Sequence, residues 1–322
     1  MHGLENVPQD KAVLFLPNHQ NALLDVLLIA VDCARKPYFL TRSDVFKGKF
    51  LKAVFDFFQM IPIYRIRDGR EALKNNQEVF DQCSQLLIDK EALLMFPEAN
   101  HSLKRRVRPL SKGFTRIIFN AFDANQELDV HLVPIGMNYQ NAISFPDHVA
   151  LYFGNSIPAR SSYDPKDIRS SVTNIKDKVE TELQTLTTHI ADEKRYGDII
   201  RTLDAMNVDY LDPPAVHQQI LQLSSSPRAT NKKNQRGFFR RLVTVLFMLV
   251  NLPMVLIWKK ILKPKVWEAE FMGTLRFAFA LIAYPFYYGI LFAGITFLLT
   301  AQIAVWTVIG LFLFNWGYVK WT

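Results

Sequence analysis

The sequence lacks most of the features that reveal a function at a glance. It has two cysteines, Cys33 and Cys83, far apart and outside any CxxC spacing, which excludes a disulfide-stapled fold and fits free thiols in a reducing compartment. Its histidines, among them His19, His101, His131 and His148, are scattered without an HxxxH or HExxH pair, so no metal site is expected. The 13 glycines form no GxGxxG or P-loop, which argues against a nucleotide cradle. Residues 1–8 contain no apolar run, so no secretory signal is expected there. Acid is missing altogether from residues 228–265, which carry ten Lys or Arg. Charge of either sign is nearly missing from residues 271–322, where Arg276 and Lys320 stand alone in 52 positions.

These gaps explain the formal charge of +8. Outside residues 228–265 the chain sums to −2, and the basic stretch abuts apolar sequence. Basic residues beside a membrane segment read as contacts to anionic lipid, so membrane lipids are expected partners and nucleic acid is not. Residues 242–258 are uncharged but number only 17 and are broken by Asn251 and Pro253, with Arg240 and Arg241 before them and Lys259, Lys260, Lys263 and Lys265 after. The positive-inside rule puts both ends on the cytoplasmic side, which predicts a re-entrant or interfacial segment over 242–262. Residues 277–299 and 301–319 are long enough to cross as a transmembrane hairpin, with Trp306, Trp316, Tyr318 and Trp321 as interfacial aromatics.

Upstream, short apolar runs at 12–16, 38–40, 61–64, 92–96, 132–137 and 149–153 alternate with helical patterns at 21–33, 44–58, 70–89 and 111–124, with Ser43 and Asp68 as N-caps. This alternation predicts an α/β fold, a mostly parallel sheet flanked by helices, over residues 1–163. A helical extension over 164–223, a basic linker over 224–241 and the membrane region over 242–322 complete the expected organisation.

The chemistry concentrates at strand ends. The first strand runs into Asn18 and His19, and Asp25 lies in the following helix, an arrangement that can pair a base with its orienting carboxylate. Arg65 follows the third strand, and Arg67 stands two residues on. A guanidinium there suits a phosphate or a salt bridge at the sheet edge. The fourth strand ends in Phe96, Pro97 and Glu98, and Lys104, Arg105, Arg106, Arg108 and Lys112 follow. That cluster reads equally as an anionic-ligand patch and as solvated loop charge or headgroup contact. Asn18, Asn21 and Pro97 are expected to shape the turns.

The blocks Asn18-His19 to Asp25, Gln59 to Arg65, Phe96-Pro97-Glu98-Ala99-Asn100-His101-Ser102 and Val133-Pro134 are in the order seen in the glycerolipid acyltransferases typified by 1-acylglycerol-3-phosphate acyltransferases, and the chain resembles that family over residues 12–137. The resemblance implies a His19 base held by Asp25, phosphate binding by Arg65, and a Glu98 that organises the acceptor or its arginines. Lys104, Arg105 and Lys112 would complete the acceptor site. It also implies acyl transfer from acyl-CoA or acyl carrier protein to lysophosphatidate, without a cofactor. Glycerol 3-phosphate is the next acceptor, another lysolipid the third, and a catalytically silent lipid-binding protein the non-enzyme alternative. Members of the family usually carry membrane-associating helices before the first strand, so a truncated or misassigned start is expected.

The departures are specific. Five residues separate His19 from Asp25 where the family pattern has four, which resembles a subgroup including fungal glycerol-3-phosphate acyltransferases. On a helix one extra residue rotates the carboxylate by about 100°, so an added residue in the turn, at Asn21, is needed to restore the pairing. Gln59 and Ala99 replace glycines, and Asn100-His101 replaces Thr-Arg.

Overall fold

The computed structural model describes residues 1–33, 35–45, 53, 55–64, 70–225 and 238–321. The runs expected as strands form β1 (Ala12–Pro17), β2 (Tyr38–Arg42), β3 (Met60–Ile63), β4 (Ala92–Leu94), β5 (Val130–Tyr139) and β6 (Val149–Phe153), and a short β7 (Ile157–Pro158) joins them. They build one seven-stranded sheet in the order β3-β2-β4-β1-β5-β6, with β7 also on β5. The strands from β3 to β5 are parallel, whereas β6 and β7 run antiparallel to β5.

Helices cover both faces of the sheet, which is why β1 reads as a continuous apolar run. Ala12, Leu14 and Leu16 face α2 (Arg70–Ile88), α3 (Gly113–Ala124) and α4 (Ile168–Leu186). Val13 and Phe15 face Val26 and Ile29 of α1 (Ala22–Asp32). Burial holds the Cys83 thiol up at about 12, and Cys33 is also unpaired. From β1 the chain leaves through α1 to β2 on one side, and from β4 through α3 to β5 on the other. The carboxyl ends of β1 and β4 therefore flank a topological switch point, where open α/β sheets bind ligands.

The extension is packed into this core. Ile175, Val179 and Leu183 of α4 join the main cluster, while α5 (Tyr196–Ala205) and α6 (Pro213–Ser225) surround a smaller one containing Ile190, Leu203 and Val216. Gly136 of β5 permits the approach of α4, because a Cβ there would lie 2.2 Å from the Leu186 carbonyl oxygen.

In the membrane region α7 (Phe238–Val250) meets the helical segment Leu252–Lys265, which opens with α8 (Leu252–Ile257), at 86°. The break falls at Asn251, one of the two interruptions in the 242–258 run. Then come α9 (Met272–Leu298) and α10 (Ala301–Trp321), two helices long and apolar enough to cross a membrane. Helix α9 starts five residues before the expected 277 and takes in Arg276. Of the four aromatics expected at an interface or packed between helices, Tyr318 packs between helices: it is buried and stacks on Phe247 at 4.0 Å. Ser43 opens a short 3-10 turn. Most of the helix expected over 44–58, the cap Asp68 and most of the linker lie outside the described residues.

Candidate active site

His19 follows β1 directly, and its Nδ1 lies 2.8 Å from Asp25 Oδ2. The extra residue is absorbed in the turn: Asn21 is the N-cap at φ −139°, and Ala22 follows at φ 23° before the helix settles. Asp25 is fully buried, and its Oδ2 also accepts the backbone N–H groups of Gln20 and Asn21, each at 2.8 Å. Its Oδ1 accepts the Tyr139 hydroxyl at 2.6 Å. Burial, reinforced by Asp25, drives the Tyr139 phenol well above its ordinary value, so it remains a donor. Because the carboxylate holds the Nδ1 side of the imidazole, Nε2 is left to take a proton. The Phe96 ring stacks on His19 with centroids 3.7 Å apart and fixes its plane.

The turn residues lock this geometry. Asn18 bonds both ways to Met137, accepting from its N–H at 2.6 Å and donating to its carbonyl at 3.1 Å. The Pro97 carbonyl accepts from Ser111 N, and the His19 carbonyl accepts from Ser102 N, so the two motif loops are stitched together. Asn21 donates to the Ala142 carbonyl at 3.3 Å.

Glu98 is buried and takes two contacts from Arg108, at 2.8 Å from Nε and 2.6 Å from NH2. Burial raises its carboxyl above the usual range, and Arg108 opposes the shift. Arg108 also donates to the Asn100 carbonyl. A cleft beside His19 is lined by Asn18, Gln20, Glu98, Ser102, Lys104 and Arg106, and on its far wall by Thr187 and Thr188.

Of the cations expected to bind an acceptor, Lys104 reaches this cleft. Arg105 does not. Its guanidinium donates to the Tyr139 and Gln140 carbonyls at 3.0 Å and lies 3.4 Å from the Tyr210 ring centre, so it braces β5 against the extension. Lys112 occupies the N-cap position of α3 and is absent from the cleft lining. Arg65 and Arg67 lie outside the described residues. Sequence reading missed Thr187 and Thr188, because nothing in the polar extension marks two threonines as neighbours of a histidine far upstream.

The membrane region also reaches the site. His101 lies 5.7 Å from His19 between ring centres, and its Nε2 stands 3.0 Å from Glu268 Oε2 without the alignment of a hydrogen bond. Burial, with His19 adding, lowers His101 below the ordinary histidine value. Thr274 Oγ1 accepts from Leu24 N at 3.0 Å, and a Cβ on Gly273 would lie 2.4 Å from Asn21 Nδ2. Arg276 donates to the carbonyls of Ser144 and Ile143 at 2.6 and 3.0 Å.

The acyltransferase family model matches residues 1–138. Glycerol-3-phosphate O-acyltransferase 1 of Saccharomyces cerevisiae is 24% identical over 119 residues, covering 35% of this chain and 16% of that protein, so the chain spans about one sixth of that relative's length. The crystal structure of the 1-acyl-sn-glycerophosphate (LPA) acyltransferase PlsC from Thermotoga maritima is 18% identical with a TM-score of 0.39, covering 57% of this chain and 70% of that one. Over residues 1–138 the chain thus matches the acyltransferase family model, and the proteins it is similar to there are glycerolipid acyltransferases.

Proposed function

We infer that the protein moves a fatty acyl group from a thioester, acyl-CoA or acyl carrier protein, to a free hydroxyl of a phosphate-bearing glycerol acceptor, with lysophosphatidate first. The observation that carries this reading is the buried His19–Asp25 pair at the switch point, beside a cleft that holds Lys104 and Arg106. His19 Nε2 takes the hydroxyl proton as the oxygen attacks the thioester carbon, and Asp25 stabilises the imidazolium until the departing thiolate recovers the proton. Arg65, seconded by Arg67, anchors the phosphate, and Glu98 in the cleft lining holds Arg108. The reaction calls for no cofactor.

Lysophosphatidate is favoured because the start of α9 touches the turn that carries Asn21, which gives a lipid acceptor a short path to His19. Glycerol 3-phosphate is the second reading, supported by the five-residue spacing and by the yeast relative's name. The catalytic half faces the cytoplasm, with the apolar C-terminal helices as its anchor. Membranes carrying the protein, offered either acceptor with either donor, test this. His19→Ala is expected to lower kcat by about 10²- to 10⁴-fold. Equal turnover in that variant overturns the base assignment, acylation of glycerol 3-phosphate alone exchanges the acceptors, and binding without transfer marks a lipid-binding protein.

A further inference from the structure

Buried polar atoms in folded proteins nearly always have a partner. Among the described residues the Thr188 hydroxyl has none, although the residue is only 3% exposed and lines the cleft with His19. Its backbone is well held: Thr188 N donates to Asn138 Oδ1 at 3.4 Å, and Asn138 Nδ2 donates to the Leu186 carbonyl at 2.9 Å. The neighbouring Thr187 hydroxyl is satisfied by the Leu183 carbonyl at 2.7 Å. Residues 187–191 run beside the basic loop, with Ile190 N on the Arg105 carbonyl, Val107 N on His189 Nδ1 and Arg106 NH1 on the Ala191 carbonyl. The orphan hydroxyl therefore belongs to a residue whose backbone is held in the wall of the cleft, where the described lining cations are Lys104 and Arg106 and the described lining carboxylate, Glu98, is paired with Arg108.

We propose that Thr188, contributed by the helical extension, is an acceptor-binding residue whose hydroxyl donates to the phosphate ester of the glycerol acceptor. This rests on the acyl-transfer reading above and adds a residue outside the matched domain. The reacting hydroxyl and the phosphate of such an acceptor share one three-carbon backbone, so a hydroxyl held at His19 keeps the phosphate within the same cleft. A donor O–H beside two cations suits a phosphate oxygen, and hydrogen bonds to charged groups are the stronger kind.

The test is steady-state kinetics of the full chain in membranes, with lysophosphatidate and glycerol 3-phosphate, for the wild type, Thr188→Val and Thr188→Ser. Valine keeps the shape and removes the hydroxyl. The expected result is a rise of about tenfold or more in the KM of the acceptor that the wild type uses. The KM of the acyl donor should be unchanged, and serine should largely restore the wild-type value. Thermal stability of Thr188→Val should hold or rise, since a buried hydroxyl without a partner is removed, whereas a structural threonine would lower it. An acceptor KM within twofold of wild type overturns the proposal, and so does a shift confined to the donor KM, which would place the hydroxyl on the donor's phosphates. A wild type that acylates neither acceptor overturns the underlying reading instead.

Discussion

Gln59 and Ala99 stand where the family pattern carries glycine, and both adopt left-handed backbone, at φ 56° and 58°. The glycine conformation has outlived the glycine. A side chain in that region is disfavoured by about 1–2 kcal/mol, offset in part by the smaller entropy lost on folding. Gln59→Gly and Ala99→Gly should therefore each stabilise the fold by about 0.5–1 kcal/mol, read as a higher denaturation midpoint. A lower midpoint would show that the side chain's own contacts outweigh the strain. The sequence displayed both departures as letters, but a letter does not report φ. The same holds at Asp25: its partnership with His19 was legible from the order of the motif blocks, whereas its bond to Tyr139 joins residues 114 apart.

Between α4 and α5, the strip 187–191 hangs on two imidazoles that must be neutral. His189 Nδ1 accepts from Val107 N at 3.1 Å, and His217 Nε2 accepts from His189 N at 3.2 Å. Burial holds both below the ordinary value, with Arg106 pushing His189 the same way. With folded values depressed, the unfolded chain binds more protons at acid pH. The contribution to stability is then complete above about 6.5 and falls as the pH drops below it. Amide hydrogen exchange over 187–191, corrected for its intrinsic pH dependence, should speed up between pH 7 and 5. In His217→Gln, which keeps an acceptor and does not titrate, this dependence should flatten. An unaltered dependence removes His217 as a cause. A helical extension over 164–223 was readable in the sequence, but the bonds that tie it to the basic loop have no sequence period.

The three parts of the molecule are joined by contacts as well as by chain. Asn251, at the bend after α7, exchanges hydrogen bonds with Asn315 of α10 at 2.7 and 3.0 Å, and Asn315 also donates to Tyr288 of α9 at 2.9 Å. This polar clasp satisfies the side chains at the helix break, as an apolar setting requires. Deleting 238–322 should abolish carbonate-resistant membrane retention, and a truncated chain that still resists carbonate would place the anchor elsewhere. The apolar runs that predict this anchor were plain in the sequence because length and missing charge are enough to mark them. Their return to the catalytic turn was not, since Gly273, Thr274 and Arg276 carry no motif.

That return leaves no slack between the site and α9. Thr274 holds the first turn of α1, and Arg276 grips the loop beyond β5, both within the first two turns of α9. A spanning helix tilts to match the thickness of its membrane. Under the membrane-anchored acyl-transfer reading proposed above, any such tilt of α9 would act as a lever on the turn that presents His19 to Asp25, and membrane thickness would become a mechanical input to that pair's geometry.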